Sequence, residues 1–153
     1  MKYLELKIPP PLIAALMVLG MLLTRSYFPR FGLPQAMVNL FAVAVVVIAI
    51  IFGAMALSAF RKHQTTINPH KPQQANNLVT SGVFGVTRNP MYVALILLVG
   101  AVGLYLQHTG FVLFALVLAV YLHFFQIKPE ERLLQEKFRE EYSTYMSKVP
   151  RWF

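Results

Sequence analysis

The sequence predicts an all-α integral membrane bundle of four transmembrane helices, the last two forming a tight hairpin, followed by a C-terminal amphipathic cytoplasmic helix. Three observations carry this. Of 153 residues, 57% are hydrophobic and only 13% are charged, whereas soluble domains are about 45–50% apolar. The apolar residues gather in four long segments. The basic residues are distributed unevenly around those segments. A chain of this length is expected to form one domain, residues 1–153.

The first span is read over residues 8–23. The run after Leu12 is short for about 30 Å of hydrocarbon, so the helix must reach back through Pro9-Pro10-Pro11, and proline is tolerated in a first helical turn. A cleaved signal peptide is disfavoured by Glu5, by the prolines and by the lack of a small-x-small site. The second span, residues 36–60, is the clearest, with Phe41-Ala-Val-Ala-Val-Val-Val-Ile-Ala-Ile-Ile-Phe52 at its centre and no charge. Spans three and four, residues 91–106 and 111–125, are joined by only Gln107-His-Thr-Gly110, which fits an antiparallel hairpin. Both are slightly short, and a hairpin that enters and returns without crossing is the competing reading. Residues 129–148 place Leu134, Phe138, Tyr142 and Tyr145 at helical spacing among charges, the pattern of a surface helix.

Lysine and arginine set the orientation. Lys2 and Lys7, then Arg61, Lys62, Lys71 and Arg88 in the loop 61–89, then Lys128, Arg132, Lys137, Arg139, Lys148 and Arg151 share one side. The other side has Arg25 and Arg30, with Tyr27, Phe28 and Phe31 as an interfacial belt. Both termini are therefore expected in the cytoplasm, in a multi-pass protein of a bacterial inner membrane. The net charge of +8 does not indicate a nucleic-acid partner, because the basic residues flank apolar spans instead of forming a soluble patch. The absence of cysteine excludes disulfides, thiolate metal sites and cysteine nucleophiles. No metal site is expected.

Two polar entries carry the candidate chemistry. In Ser81-Gly-Val-Phe-Gly-Val-Thr-Arg-Asn-Pro-Met-Tyr92, Gly82 and Gly85 permit close approach to the backbone. Arg88 offers a fork of donors, and a helix beginning at Pro90 would turn its free amides toward Arg88 and Asn89 as an anion cradle. The competing reading of Arg88 is an anchor that snorkels to head groups. The second entry is Gln126-Ile-Lys-Pro-Glu-Glu-Arg132. Glu130 and Glu131 could pair with Arg88 or Arg132 or hold a cationic ligand group, and they equally suit an ordinary acidic first turn. His63 and His70 lack metal-ligand spacing, and His108 falls in the far-side turn. His123 ends span four, where packing outweighs a pocket role. Tyr92 reads as an interfacial or core aromatic.

Residues 82–92 resemble the Gly-x-(Phe/Tyr)-x-x-(Ser/Thr)-Arg-(His/Asn)-Pro-x-Tyr motif of the isoprenylcysteine carboxyl methyltransferase family, to which the phospholipid N-methyltransferases are related. Residues 129–145 followed by Val149-Pro-Arg151 resemble that family's C-terminal signature, and Thr66-Ile-Asn-Pro69 its loop before the first motif. The resemblance implies an integral membrane enzyme that uses S-adenosyl-L-methionine and admits a lipophilic acceptor, a lipid or a lipidated small molecule or protein, from the bilayer. Carried over by motif, Arg88, Asn89, Pro90 and Tyr92 would shape the cofactor site, with Glu130 and Glu131 completing it and Arg88 and Glu130 closest to the chemistry; Gly82 and His123 are further candidate cofactor contacts. Asn89 stands where many members have histidine. Asparagine hydrogen-bonds but does not titrate, so no proton transfer falls to it. Other readings are an NADPH-dependent reductase of the sterol reductase type and a non-catalytic membrane scaffold or lipid-binding protein.

Overall fold

The computed structural model describes residues 5–63 and 77–153. Lys2, Thr66-Ile-Asn-Pro69, His70 and Lys71 lie outside the described residues. The helices are α1 (Pro10–Leu23), α2 (Gln35–Lys62), α3 (Pro90–Tyr105), α4 (Phe111–Leu122) and α5 (Lys128–Lys148), with a 3-10 turn at Gly82–Gly85. The described residues form no β-strand, only one bridge between Arg30 and His108. Proline precedes or opens α1, α2 and α3, where a missing amide costs no hydrogen bond.

Two stretches are long and apolar enough to cross a bilayer: α2, with 28 residues, and the 38-residue run Phe111–Lys148 that begins with α4. Much of α2's surface is exposed and apolar, including Leu40, Val43, Val47, Ile50 and Ile51. Such a face suits lipid and not water. α1 and α3 have 14 and 16 residues, about 21–24 Å at helical rise, less than the hydrocarbon thickness.

Helix α2 buries Val38, Ala42, Ala49 and Ala56. The three alanines recur every seven residues, a small-residue seam that lets helices approach closely. A Cβ on Gly53 would lie 3.9 Å from the Ala94 Cβ of α3. The main core lies among α1, α3 and α4, with Met21, Val99, Leu118 and Leu122 almost fully buried. The expected α3–α4 turn is present. There, a Cβ on Gly103 would fall 2.2 Å from the Phe111 Cβ. Gly103→Val therefore overpacks the hairpin, and we expect a loss of about 1–3 kcal/mol, read as a lower unfolding midpoint in detergent.

The far-side belt is only partly open. Tyr27 is exposed, but Phe28 packs on the His108 ring at 4.6 Å and Phe31 on Phe111 at 5.8 Å. His108 is buried, with Nε2 3.1 Å from Thr24 Oγ1. The Thr24 hydroxyl donates to Gly20 O at 2.7 Å, so His108 Nε2 is the donor between them.

The largest departure lies after α4. Residues 111–125 were expected to end a span before a separate helix at 129–148. Instead a wide π-helical turn, His123–Ile127, carries α4 directly into α5. Pro129 has no amide to give the carbonyl four residues earlier, that of Phe125. The Leu6 amide takes that carbonyl at 2.9 Å. Beside it, Gln126 Nε2 donates to Ile8 O at 2.8 Å. The carbonyl that Pro129 frees is thus satisfied by the segment preceding α1, whereas Gln126 Oε1 is buried without a partner. Helix α5 also bends at Arg139 (φ 45°, ψ −112°). The Arg139 carbonyl accepts from Gln135 Nε2 at 3.0 Å and Ser143 Oγ at 3.1 Å. Leu134 and Phe138 face inward in part, and Tyr142, Tyr145 and Val149 are buried around Leu78.

Candidate functional site

The start of α3, the start of α5 and the tail after α5 meet at one end of the bundle. The 3-10 turn is fastened first. Val79, Val83 and Phe84 pack on Ala56 and Phe60 of α2, and the Tyr145 hydroxyl donates to Phe84 O at 2.7 Å. The tail then lies against residues 87–89. Arg88 N donates to Pro150 O at 3.1 Å, and Thr87 Oγ1 and Asn89 Nδ2 donate to Arg151 O at 3.1 and 2.9 Å.

These bonds correct one expectation. The amides of Arg88, Asn89, Tyr92 and Val93 already donate, to Pro150 O, Thr87 Oγ1, and, for the last two, Asn89 O. The mouth of α3 is therefore not a cradle of free amides. Asn89 holds the tail through its side chain and also lines the cavity.

The charged centre is Glu131. Arg151 grips it in a fork, Nε to Oε1 at 3.0 Å and Nη2 to Oε2 at 2.6 Å, an arrangement of two charge-assisted hydrogen bonds. These bonds raise the Arg151 pKa further above its ordinary value. Arg88 Nη1 lies 3.0 Å from Glu131 Oε1, but off the hydrogen-bonding direction. Both Nη1 and Nε of Arg88 are buried without an acceptor. The Arg88 side chain is 10% exposed, so these two donors are withdrawn from water, while the guanidinium also hydrogen-bonds the Tyr142 side chain.

Glu130 pairs with neither Arg88 nor Arg132. It accepts a hydrogen bond from the Tyr92 hydroxyl at 2.5 Å, and Arg132 reaches Glu5 instead. Burial pushes the Glu130 carboxyl up to about 8; the Tyr92 hydrogen bond pulls it down, and the charge on Glu131 adds to the rise. A carboxyl raised in this way holds a proton in the folded chain that the unfolded chain has released. Its contribution to stability is complete below about 4.5, its ordinary value, and is lost as pH rises to about 8. We expect the melting temperature to fall through that window more steeply for the wild-type chain than for Glu130→Gln. Parallel pH profiles of the two proteins would contradict the assignment.

A cavity of about 120 Å³ opens among these groups, lined by Arg88, Asn89, Glu130, Glu131, Tyr142 and Tyr145, with Phe60, Leu78 and Leu134 among its apolar walls. Burial, with the Glu131 charge adding, pushes the Tyr142 hydroxyl up to about 12, so at neutral pH it is a donor. Of the residues expected from sequence, Arg88, Asn89, Glu130 and Glu131 line this cavity, and Tyr92 joins through Glu130. Pro90 is buried as the opening residue of α3. Gly82 is exposed at φ +65°, a conformation that favours glycine, and does not line the cavity. His123 is likewise not a lining residue. It stands edge-on to the Phe124 ring at 4.9 Å. Sequence reasoning missed Arg151, Tyr142 and Tyr145 as site residues. The Val149-Pro-Arg151 motif and the apolar spacing along α5 were the available signals.

A family model described as phospholipid methyltransferase matches residues 37–141. The match runs from α2 into α5 and takes in Arg88, Glu130 and Glu131, while Arg151 lies beyond it. No curated protein and no solved structure matches the chain.

Proposed function

The chain belongs to the phospholipid methyltransferase family, and from that premise we propose that it is a multi-pass S-adenosyl-L-methionine-dependent methyltransferase acting on a lipophilic acceptor. The observation that carries the reading is the buried Arg88 guanidinium on the same cavity as Glu130 and Glu131, ion-paired with Glu131 yet with Nε and Nη1 making no hydrogen bond. A buried donor without a partner is costly, and a ligand carboxylate would relieve that cost. The amino-acid end of the cofactor supplies a carboxylate and an ammonium. Arg88 would hold the first, and Glu131, with Tyr142 beside it, the second. The cavity of about 120 Å³ is well below the roughly 300–1,000 Å³ of most ligand sites. It suits that end of the molecule and not the nucleoside.

The cofactor, when bound, supplies an electrophilic methyl group on a sulfonium. The protein's task is alignment and exclusion of water. A carboxylate acceptor needs no base. An ammonium acceptor must lose a proton, and Glu130, on the cavity wall and raised to about 8, suits that transfer in its ionised form, whose share grows as pH rises toward 8. Tyr92 would hold Glu130 in position for it. No acceptor class is singled out by the lining residues.

In this proposal all four apolar helices lie in the bilayer, with both termini, the loop 61–89 and α5 on the cytoplasmic side. The shortness of α1 and α3 is met by local thinning of the bilayer and by the residues that flank each helix. The activity is tested by incubating the purified protein with methyl-labelled cofactor and a total lipid and membrane-protein extract. Label transferred to one lipid-soluble species supports the proposal. No transfer, together with binding of NADPH and not of S-adenosyl-L-methionine or its demethylated product, refutes it.

A further inference from the structure

A second cleft lies at the opposite end of the bundle, about 24 Å away along α3. Its volume is about 300 Å³, and Arg25, Arg30, Gln35, Asn39, Tyr105 and Gln107 line it. We propose that this cleft is an anion site that takes a phosphate group, as a phospholipid head group or as free phosphate.

The charge around the cleft is of one sign. All six acidic residues, Glu5, Glu130, Glu131, Glu136, Glu140 and Glu141, lie in the segments before α1 and after α4. None lines the cleft, and neither Arg25 nor Arg30 has an ion-pair partner among the described residues. Both arginines are exposed, and two unpaired guanidiniums on one concavity give it a positive potential that attracts an anion.

Hydrogen bonding points the same way. Gln107 Nε2 donates to Gln35 Oε1 at 2.9 Å, and Gln35 Nε2 donates to Asn39 Oδ1 at 2.9 Å. The relay uses the Gln35 and Asn39 oxygens internally. The Asn39 amide nitrogen and the second Gln35 proton remain as donors. With the two arginines this makes a cleft rich in donors, which suits phosphate oxygens.

The cleft is also built firmly. Gln107 is buried and takes a left-handed backbone conformation, φ 53°, which costs a non-glycine residue energy and is retained where the surroundings enforce it. Arg30 is held by its bridge to His108. The adjacent Pro29 carbonyl accepts from Thr109 Oγ1 at 2.9 Å and from the Thr109 amide at 3.4 Å. The inference does not depend on the methyltransferase reading, because no residue is shared between the two sites.

The test is native mass spectrometry of the delipidated full chain titrated with dioleoyl phosphatidylglycerol, and separately thermal melting with inorganic phosphate. We expect one tightly held phosphatidylglycerol, bound at least about tenfold more weakly by Arg25→Gln/Arg30→Gln. Arg61→Gln/Lys62→Gln, at the other end, should bind it like wild type. Asn39→Asp, which places a negative charge in the cleft without changing its size, should weaken it too and covers the case in which the double variant fails to fold. A melting shift with inorganic phosphate that the arginine variant lacks identifies free phosphate as a source. A lipid effect alone identifies the head group. Equal lipid retention by wild type and both cleft variants, with no phosphate shift, overturns the proposal.

Discussion

Glu131→Ala is expected to destabilise the folded chain by about 3–5 kcal/mol. The carboxylate is 12% exposed and faces Arg88, 10% exposed, and Arg151, 30% exposed. Truncation leaves two guanidiniums close together with no counter-charge, one of them nearly shut off from water. It also frees the tail that Arg151 anchors. Chemical unfolding in detergent, followed by helicity and by Trp152 fluorescence, measures the loss. The fluorescence transition should come first, because Trp152 adjoins the released arginine. A change below about 1 kcal/mol would show that the cluster behaves like solvent-exposed ion pairs, which contribute little.

Arg88→Ala should separate binding from folding. Glu131 keeps both hydrogen bonds from Arg151, so stability should fall much less than in Glu131→Ala. Cofactor affinity, read by calorimetry in detergent, should fall about 100-fold or more, because two hydrogen bonds to a charged carboxylate contribute about 1.5–3 kcal/mol each. Arg88→Lys keeps the charge but not the fork, and should recover only part of the affinity. Unchanged binding of S-adenosyl-L-methionine to Arg88→Ala would remove Arg88 from the cofactor site. Loss of binding with a collapse in stability equal to that of Glu131→Ala would assign it a structural role instead.

The helices were legible because their signals are local. An uncharged apolar run marks α2, prolines mark where α1 and α3 begin, and a short polar turn separates α3 from α4. The continuity through residues 123–127 was not legible. It depends on an amide at Leu6 meeting the carbonyl that Pro129 leaves open at Phe125, a contact between distant parts of the chain. The bend at Arg139 likewise rests on side chains collecting one carbonyl, and no residue type announces it. In the site, Arg88 and Glu131 stood out because charge at the mouth of an apolar helix is costly. Arg151 did not, because a basic residue in a terminal segment reads equally well as a topology signal. Asn89 was expected to face a ligand. Its other role, holding a backbone carbonyl of the tail, becomes visible only when residues 89 and 151 are seen side by side.

The tail that closes over residues 87–89 sets an order of events during biosynthesis. A chain is made from its N-terminus, so Arg88 enters the nascent protein well before Pro150 and Arg151. Until those two residues leave the ribosome, residues 87–89 lack the carbonyls they bond and Glu131 lacks its forked partner. The ion-pair cluster at the mouth of α3 is then assembled only after residues 150 and 151 have been made, long after α3 itself.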